Sequence, residues 1–211
     1  MATSLTLEND SSLAQGYLKV NGSTAATLTT SGITGNLTGN VTGNLTGNVT
    51  GSLTAGGSLT LATAQTATGT AVDFTGIPSW VKRITVMFNG VSLSGSSNCL
   101  IQVGDSGGLE ITGYQSVLTG FTGSTGSTVS STSGFLFGGG AEPNNTSGIC
   151  ILTNISTNAW VLSGSGKLTT TASFVSGGDK TLSSTLDRIR ITTVNGTDTF
   201  DAGTINISYE G

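Results

Sequence analysis

The sequence predicts an all-β protein in three parts: an N-terminal hairpin-like anchor, an intertwined trimeric β shaft and a C-terminal jelly-roll-like β-sandwich knob. Three observations predict it. Residues 33–54 repeat one four-residue word, ITGN LTGN VTGN LTGN VTGS LT. Short runs of alternating apolar and polar residues, punctuated by Gly, Ser and Asn, fill most of the rest. No stretch of three helical turns places apolar residues at helical spacing.

The first part spans residues 1–31. Leu5 and Leu7 alternate with threonines, and GYLKVNGSTAATL holds Asn21-Gly22 between two β-like runs. Asn-Gly is the dipeptide that a two-residue hairpin favours, because both residues then adopt positive φ. Its charges, Glu8, Asp10 and Lys19, are the last before Asp73.

Residues 32–72 form the shaft and neck, with no charged or aromatic residue. Ile33, Leu37, Val41, Leu45, Val49 and Leu53 recur every fourth residue, and glycine follows at Gly35, Gly39, Gly43, Gly47 and Gly51. A helix would need mixed three- and four-residue spacing, and each glycine would cost it roughly 1 kcal/mol. Collagen needs glycine at every third position. On a strand, alternation puts the aliphatic residue and the glycine on one face and Thr and Asn on the other. That apolar face is too thin for a core within one chain. It suits several copies wound about a common axis, each giving one aliphatic per layer, with glycine where the backbones crowd. The six aliphatics are thus the expected trimer axis. The register breaks at Ala55-Gly56-Gly57, where a strand-like SLTLATAQTATGTAV follows.

Residues 73–211 form the knob, which holds all seven Phe, both Trp and two of the three Tyr. PSWVKRITVMFNGVSLSG alternates Ile84, Val86 and Phe88, and its Asn89-Gly90 predicts a turn into Val91 and Leu93. CLIQVGD, SGFLFGGG, GICILTNIS and AWVLSGSGKL follow as short β runs. The last block alternates Ile189 and Ile191, turns near Asn195-Gly196 and ends through Ile205, Ile207 and Tyr209. About 139 residues are enough to bury a core.

Only 9% of the residues are charged, the net charge is −4, and glycine is 33 of 211. Typical soluble domains are roughly 25% charged. With seven scattered basic residues, no nucleic-acid surface is expected. No apolar run approaches a membrane span, so no membrane insertion is expected. MATSLTLENDSS carries neither a basic region nor a hydrophobic stretch, so the chain is expected to be made in a cytoplasm. Cys99 and Cys150 read as small buried residues, since a reducing cytoplasm disfavours a disulfide. Without histidine and with few cysteines, no metal or other cofactor is expected.

Several motifs point elsewhere on first sight. Gly104-Asp105-Ser106-Gly107-Gly108 spells the run around a serine-protease nucleophile, but the chain lacks the histidine that would take the serine proton. It reads as a glycine-rich turn. Asn-x-Ser/Thr at Asn36, Asn40, Asn44, Asn48, Asn154 and Asn206 reflects the need for short polar residues, not glycosylation. Threonine-rich ice binding would need a flat array, which a wound fibre does not give. A polysaccharide-degrading enzyme needs two neighbouring carboxylates. Asp198 with Asp201, and Asp105 with Glu110, are the pairs closest in sequence. No catalytic residue is assigned. Trp160, Tyr114 and Phe121 are the aromatics suited to stacking on a sugar, with hydroxyls from GFTGSTGSTVSSTSG (120–134), read as a loop, supplying hydrogen bonds. Core packing competes for Trp160, in AWVL. Trp80, after Pro78-Ser79, is expected where the neck meets the knob.

The GYLKVNGSTAATL hairpin, the GITGN-type shaft and the β-rich knob together resemble bacteriophage fibre proteins. TGTAVDFTGIPSWVKRITVMFNGVSLSGSSNCLIQVGDSGGLEITGY also resembles knob domains of phage tail and head fibres. The resemblance implies a homotrimeric structural protein of the virion and no enzyme. It implies that the N-terminus joins a tail or capsid protein and that the knob meets a host-surface glycan or protein. A head fibre or capsid decoration is the alternative, because receptor-binding tail fibres are often several times longer.

Overall fold

The computed structural model describes residues 5–10, 15–20, 23–29, 32–34, 59–139 and 145–211, the first four ranges as strands alone. The chain divides into two compact units, Met1–Thr50 and Gly51–Gly211. All described regular structure is β, and every strand pairing is antiparallel.

The first unit is a meander of β1 (Leu5–Asp10), β2 (Gln15–Val20), β3 (Ser23–Thr29) and β4 (Gly32–Thr34), paired in chain order. Val20 lies opposite Ser23; Asn21-Gly22, expected as the turn between these strands, lies outside the described residues. β4 sets Ile33 opposite Leu28, so the first aliphatic of the repeat takes part in this sheet. Leu37, Val41, Leu45, Val49 and Leu53 lie outside the described residues.

The second unit pairs its strands into two sheets. Its strands are β5 (Thr60–Leu61), β6 (Gln65–Thr66), β7 (Val72–Thr75), β8 (Arg83–Leu93), β9 (Asn98–Asp105), β10 (Gly108–Leu109) and β11 (Gln115–Thr122). They continue with β12 (Thr125–Ser131), β13 (Phe135–Gly139), β14 (Thr146–Ser156), β15 (Ala159–Lys167), β16 (Ala172–Thr181), β17 (Leu186–Thr193) and β18 (Phe200–Glu210). The larger sheet runs β12-β11-β16-β15-β14-β8-β18-β5, with β6 also on β18. The smaller runs β10-β9-β17-β7, with β13 also on β9. Residues 59–72, grouped with the shaft by composition, thus reach into this unit: β5 and β6 lie along β18.

Alternation decides which side of each strand is buried. Ile84, Val86 and Phe88 on β8, Cys150 and Leu152 on β14, Trp160 and Leu162 on β15, and Ile205 and Ile207 on β18 are all buried. Ile101 and Val103 on β9, Phe135 and Phe137 on β13, and Ile189 and Ile191 on β17 are buried likewise. The two sheets meet here: Phe88 stacks on Phe137 with ring centroids 4.0 Å apart and planes at 16°. Such a pair adds about 1 kcal/mol beyond the area it buries. Cys99 and Cys150 are free thiols in this core. Burial pushes both thiols up, Cys150 to about 12, so neither is reactive near neutral pH.

Two sequence expectations are corrected. Asn89-Gly90 is not a hairpin turn, because β8 runs on through it as one strand of 11 residues. Gly90, at φ 64°, makes a bulge instead, and the registers to β14 and β18 both shift beside it. Its neighbour Gly203 has φ 100°, and a Cβ there would sit 2.6 Å from the Gly90 carbonyl carbon. Backbones crossing so closely leave room only for glycine. Residues 120–134 are the second correction: most of this stretch is strand, the end of β11 and all of β12.

The turn expected near Asn195-Gly196 is present. The Asn195 side-chain oxygen accepts hydrogen bonds from the N–H groups of Thr197 and Asp198, each at 3.1 Å. It joins β17 in the smaller sheet to β18 in the larger, so it is a crossover and not a hairpin. Trp80 meets Tyr209, with centroids 5.9 Å apart, and remains 38% exposed.

Candidate recognition surface

β11 and β12 form a hairpin at the edge of the larger sheet, closed by Gly123-Ser124 with Thr122 opposite Thr125. Ser116 and Leu118 are buried under it, which turns Val117, Thr119 and Phe121 outward. β12 is exposed along nearly its whole length and forms the edge of the sheet. Among the described residues no strand pairs with its outer edge, which leaves those backbone groups open to another molecule. Residues 115–134 carry no charge and eleven Ser or Thr.

Phe121 is opposite Gly126, where a Cβ would lie 3.3 Å from its ring, and it is 38% exposed. Thr119 and Thr128 hydroxyls meet at 3.0 Å across the strands. Beside the hairpin lies a shallow groove of about 590 Å³, lined in part by Gln115, Val117, Ser130, Thr132, Val175 and Gly177. A half-exposed ring beside neutral hydroxyls suits a neutral, hydroxyl-bearing ligand: the ring covers apolar C–H faces and the hydroxyls exchange hydrogen bonds.

Of the three aromatics expected to meet a ligand, only Phe121 presents surface. Tyr114 is 1% exposed and packs edge-on against Phe135 at 5.0 Å. Its hydroxyl accepts from the Val103 N–H and donates to the Glu110 carbonyl, both at 2.8 Å. Trp160 is 3% exposed, on the buried side of β15. An apolar run such as AWVL fits a core strand as well as a binding strand, and packing took both aromatics.

The acids sort into distinct settings. Asp105 and Glu110 converge on Ser183: its hydroxyl donates to Asp105 and its N–H to Glu110, both at 2.6 Å. Lys180, buried, reaches Glu110 at 2.5 Å and lies over the Tyr114 ring. Sequence spacing could not show this, because Lys180 and Ser183 are some seventy residues away from the acids. Ser183 first, then the Gly107 N–H, hold the Asp105 carboxyl below its ordinary range. Burial pushes Glu110 up, but hydrogen bonds from Lys180 and Ser183 outweigh it, and its carboxyl is also held low. Glycoside hydrolysis needs one carboxyl raised to act as an acid, and this pair is tuned the other way. It serves as a clamp between the β9–β10 hairpin and the turn after β16. Asp198 is held by Asn195 and by the Ser97 N–H, and Asp201 by Ser92. Among the described residues, no three His, Cys, Asp or Glu gather as a metal site.

The GDSGG run is the tight turn between β9 and β10, with Asp105 opposite Gly108. A Cβ on Gly104 would collide with the Gly108 carbonyl, so the glycine at this position has a packing role.

The clamp sets an acid limit. Both carboxyls titrate lower in the folded chain than in the unfolded one, so their contribution is complete above about pH 5 and fades as pH falls through the folded values. The melting temperature of the second unit should be level from about pH 5 to 7 and fall below about pH 4. Glu110→Gln should flatten that acid fall in thermal scans, and an unchanged profile would show that the clamp is not what titrates.

Comparison with known proteins gives no match to this chain among family models, curated proteins or solved structures.

Proposed function

We propose that this chain is a fibre protein of a bacteriophage particle. Its first unit docks on a tail or capsid protein, the four-residue repeat winds with two other copies into a shaft, and the β-sandwich is a knob of jelly-roll type that meets the host surface. The repeat carries this reading. Its aliphatic stripe is one residue wide on each copy and needs other copies to be buried. The knob supplies recognition by multivalency: three weak sites on one fibre, and many fibres on one particle, raise the effective concentration of each contact. The β11–β12 hairpin is the surface on which we place the contact, with a neutral glycan as ligand. It is the sheet edge farthest from β5, seven strand spacings or about 34 Å away.

Antibody raised against the chain, bound to intact particles and viewed by electron microscopy, tests the reading. Label on thin projections is the expected result. Its place, at the tail or around the capsid, separates a tail fibre from a head fibre or decoration. Particles that carry no label would remove the proposal.

A further inference from the structure

Several glycines of the larger sheet have a plain packing reason. A Cβ on Gly164 would sit 2.6 Å from both the Cys150 Sγ and the Ser176 Oγ, and one on Gly148, Gly166 or Gly178 would collide with a carbonyl of the next strand. Gly177 has no such reason. It lies within β16 without a positive φ, and a Cβ there would meet only the Leu162 carbonyl oxygen, at an ordinary 3.7 Å. Glycine inside a strand weakens it, and where packing does not demand it, it often marks a place that a ligand approaches closely. Gly177 is opposite Val117 on one side and Ser163 on the other, and Val175 is opposite Thr119. Val117 and Val175 point outward, 47% and 48% exposed, and wall a pit whose floor is bare backbone. The pit belongs to the groove beside the β11–β12 hairpin. One step along the strand, about 7 Å away, Gln115 is opposite Asp179, and both are exposed on the same side. Ser130, opposite Val117, adds a hydroxyl from β12.

We infer that this pit selects a sugar by its acetamido group. The inference rests on the glycan-binding reading of the β11–β12 surface and names the group that the surface recognises. The acetyl methyl occupies the space that Gly177 leaves and covers two valines that are otherwise half in water. The amide brings one donor and one acceptor, and the Gln115 carboxamide answers both. The Asp179 carboxylate and the Ser130 hydroxyl take hydroxyls of the same glycan. A plain hydroxyl in place of the acetamido group would leave the pit unfilled and the valines wet. No cationic side chain lines the groove, so an acidic sugar finds no partner there and meets Asp179 as a like charge.

Saturation-transfer NMR of the full chain tests this with the methyl glycosides of N-acetylglucosamine and N-acetylgalactosamine, each against its parent glucose or galactose glycoside. The expected result is an acetamido sugar that binds roughly ten-fold or more tightly than its parent, with the acetyl methyl receiving the strongest saturation. Gly177→Val adds a Cβ where nothing lies closer than 3.7 Å. It should weaken that binding roughly ten-fold or more while the melting temperature holds or rises, because valine suits a strand better than glycine. Acetamido and parent sugars that bind alike, or a Gly177→Val chain that binds as the parent does, would overturn the inference and leave glycan recognition at this surface standing. A lower melting temperature of Gly177→Val would show that the glycine serves packing, and would overturn it as well. Binding of none of the four sugars would overturn the inference and the glycan ligand together, and the fibre reading would then stand or fall on the antibody label.

Discussion

Leu45→Asp is expected to abolish assembly and leave chains of 21.0 kDa in solution. Leu45 is the fourth aliphatic of the repeat. In a wound fibre its counterparts from each copy share one layer of the axis. Aspartate there brings like charges together in an apolar layer with no cation near, since residues 32–72 carry no charge at all. Burying unpaired charge costs several kcal/mol per ion, more than neighbouring layers can offset. Asn44→Asp, at the polar position just before it, should leave assembly intact. Sedimentation of both variants reads the difference. If Leu45→Asp sediments as the parent does, the aliphatic stripe faces solvent and the axial arrangement is wrong.

Phe137→Ala should destabilise the knob by about 3–5 kcal/mol. Phe137 is fully buried on β13 and stacked on Phe88 across the core, so its loss leaves a cavity between the two sheets. A domain of this size is stable by about 5–15 kcal/mol, so such a loss removes a large share of it. Val129→Ala on the exposed hairpin should stay within about 0.5 kcal/mol. Urea midpoints of the two variants give the comparison. Equal midpoints would mean that the sheets do not share a continuous core at Phe137.

Composition and period carried the all-β class and most strand positions. The runs around Ile189 and Ile205 alternate strictly, and that around Ile84 does so but for Met87; such alternation is legible whenever one side of a strand is buried. Asn89-Gly90 misled because positive φ serves a bulge as well as a turn, and only the partner strands, β14 and β18, decide between them. The 120–134 stretch misled in the opposite sense: its Gly, Ser and Thr look like loop, yet ladder bonds to β11 make most of it a strand. β-propensity is weak against such pairing. At the site, Phe121 was legible as an outward aromatic, while Tyr114 and Trp160 were not separable from core residues. The Lys180–Glu110–Ser183 clamp joins residues far apart in sequence, and no local pattern encodes it.

Sedimentation equilibrium of the purified full chain over a wide concentration range tests the central claim most directly. An intertwined fibre predicts one species near three times 21.0 kDa, unmoved by dilution. A species of 21.0 kDa would contradict it and leave the β-sandwich as a solitary domain.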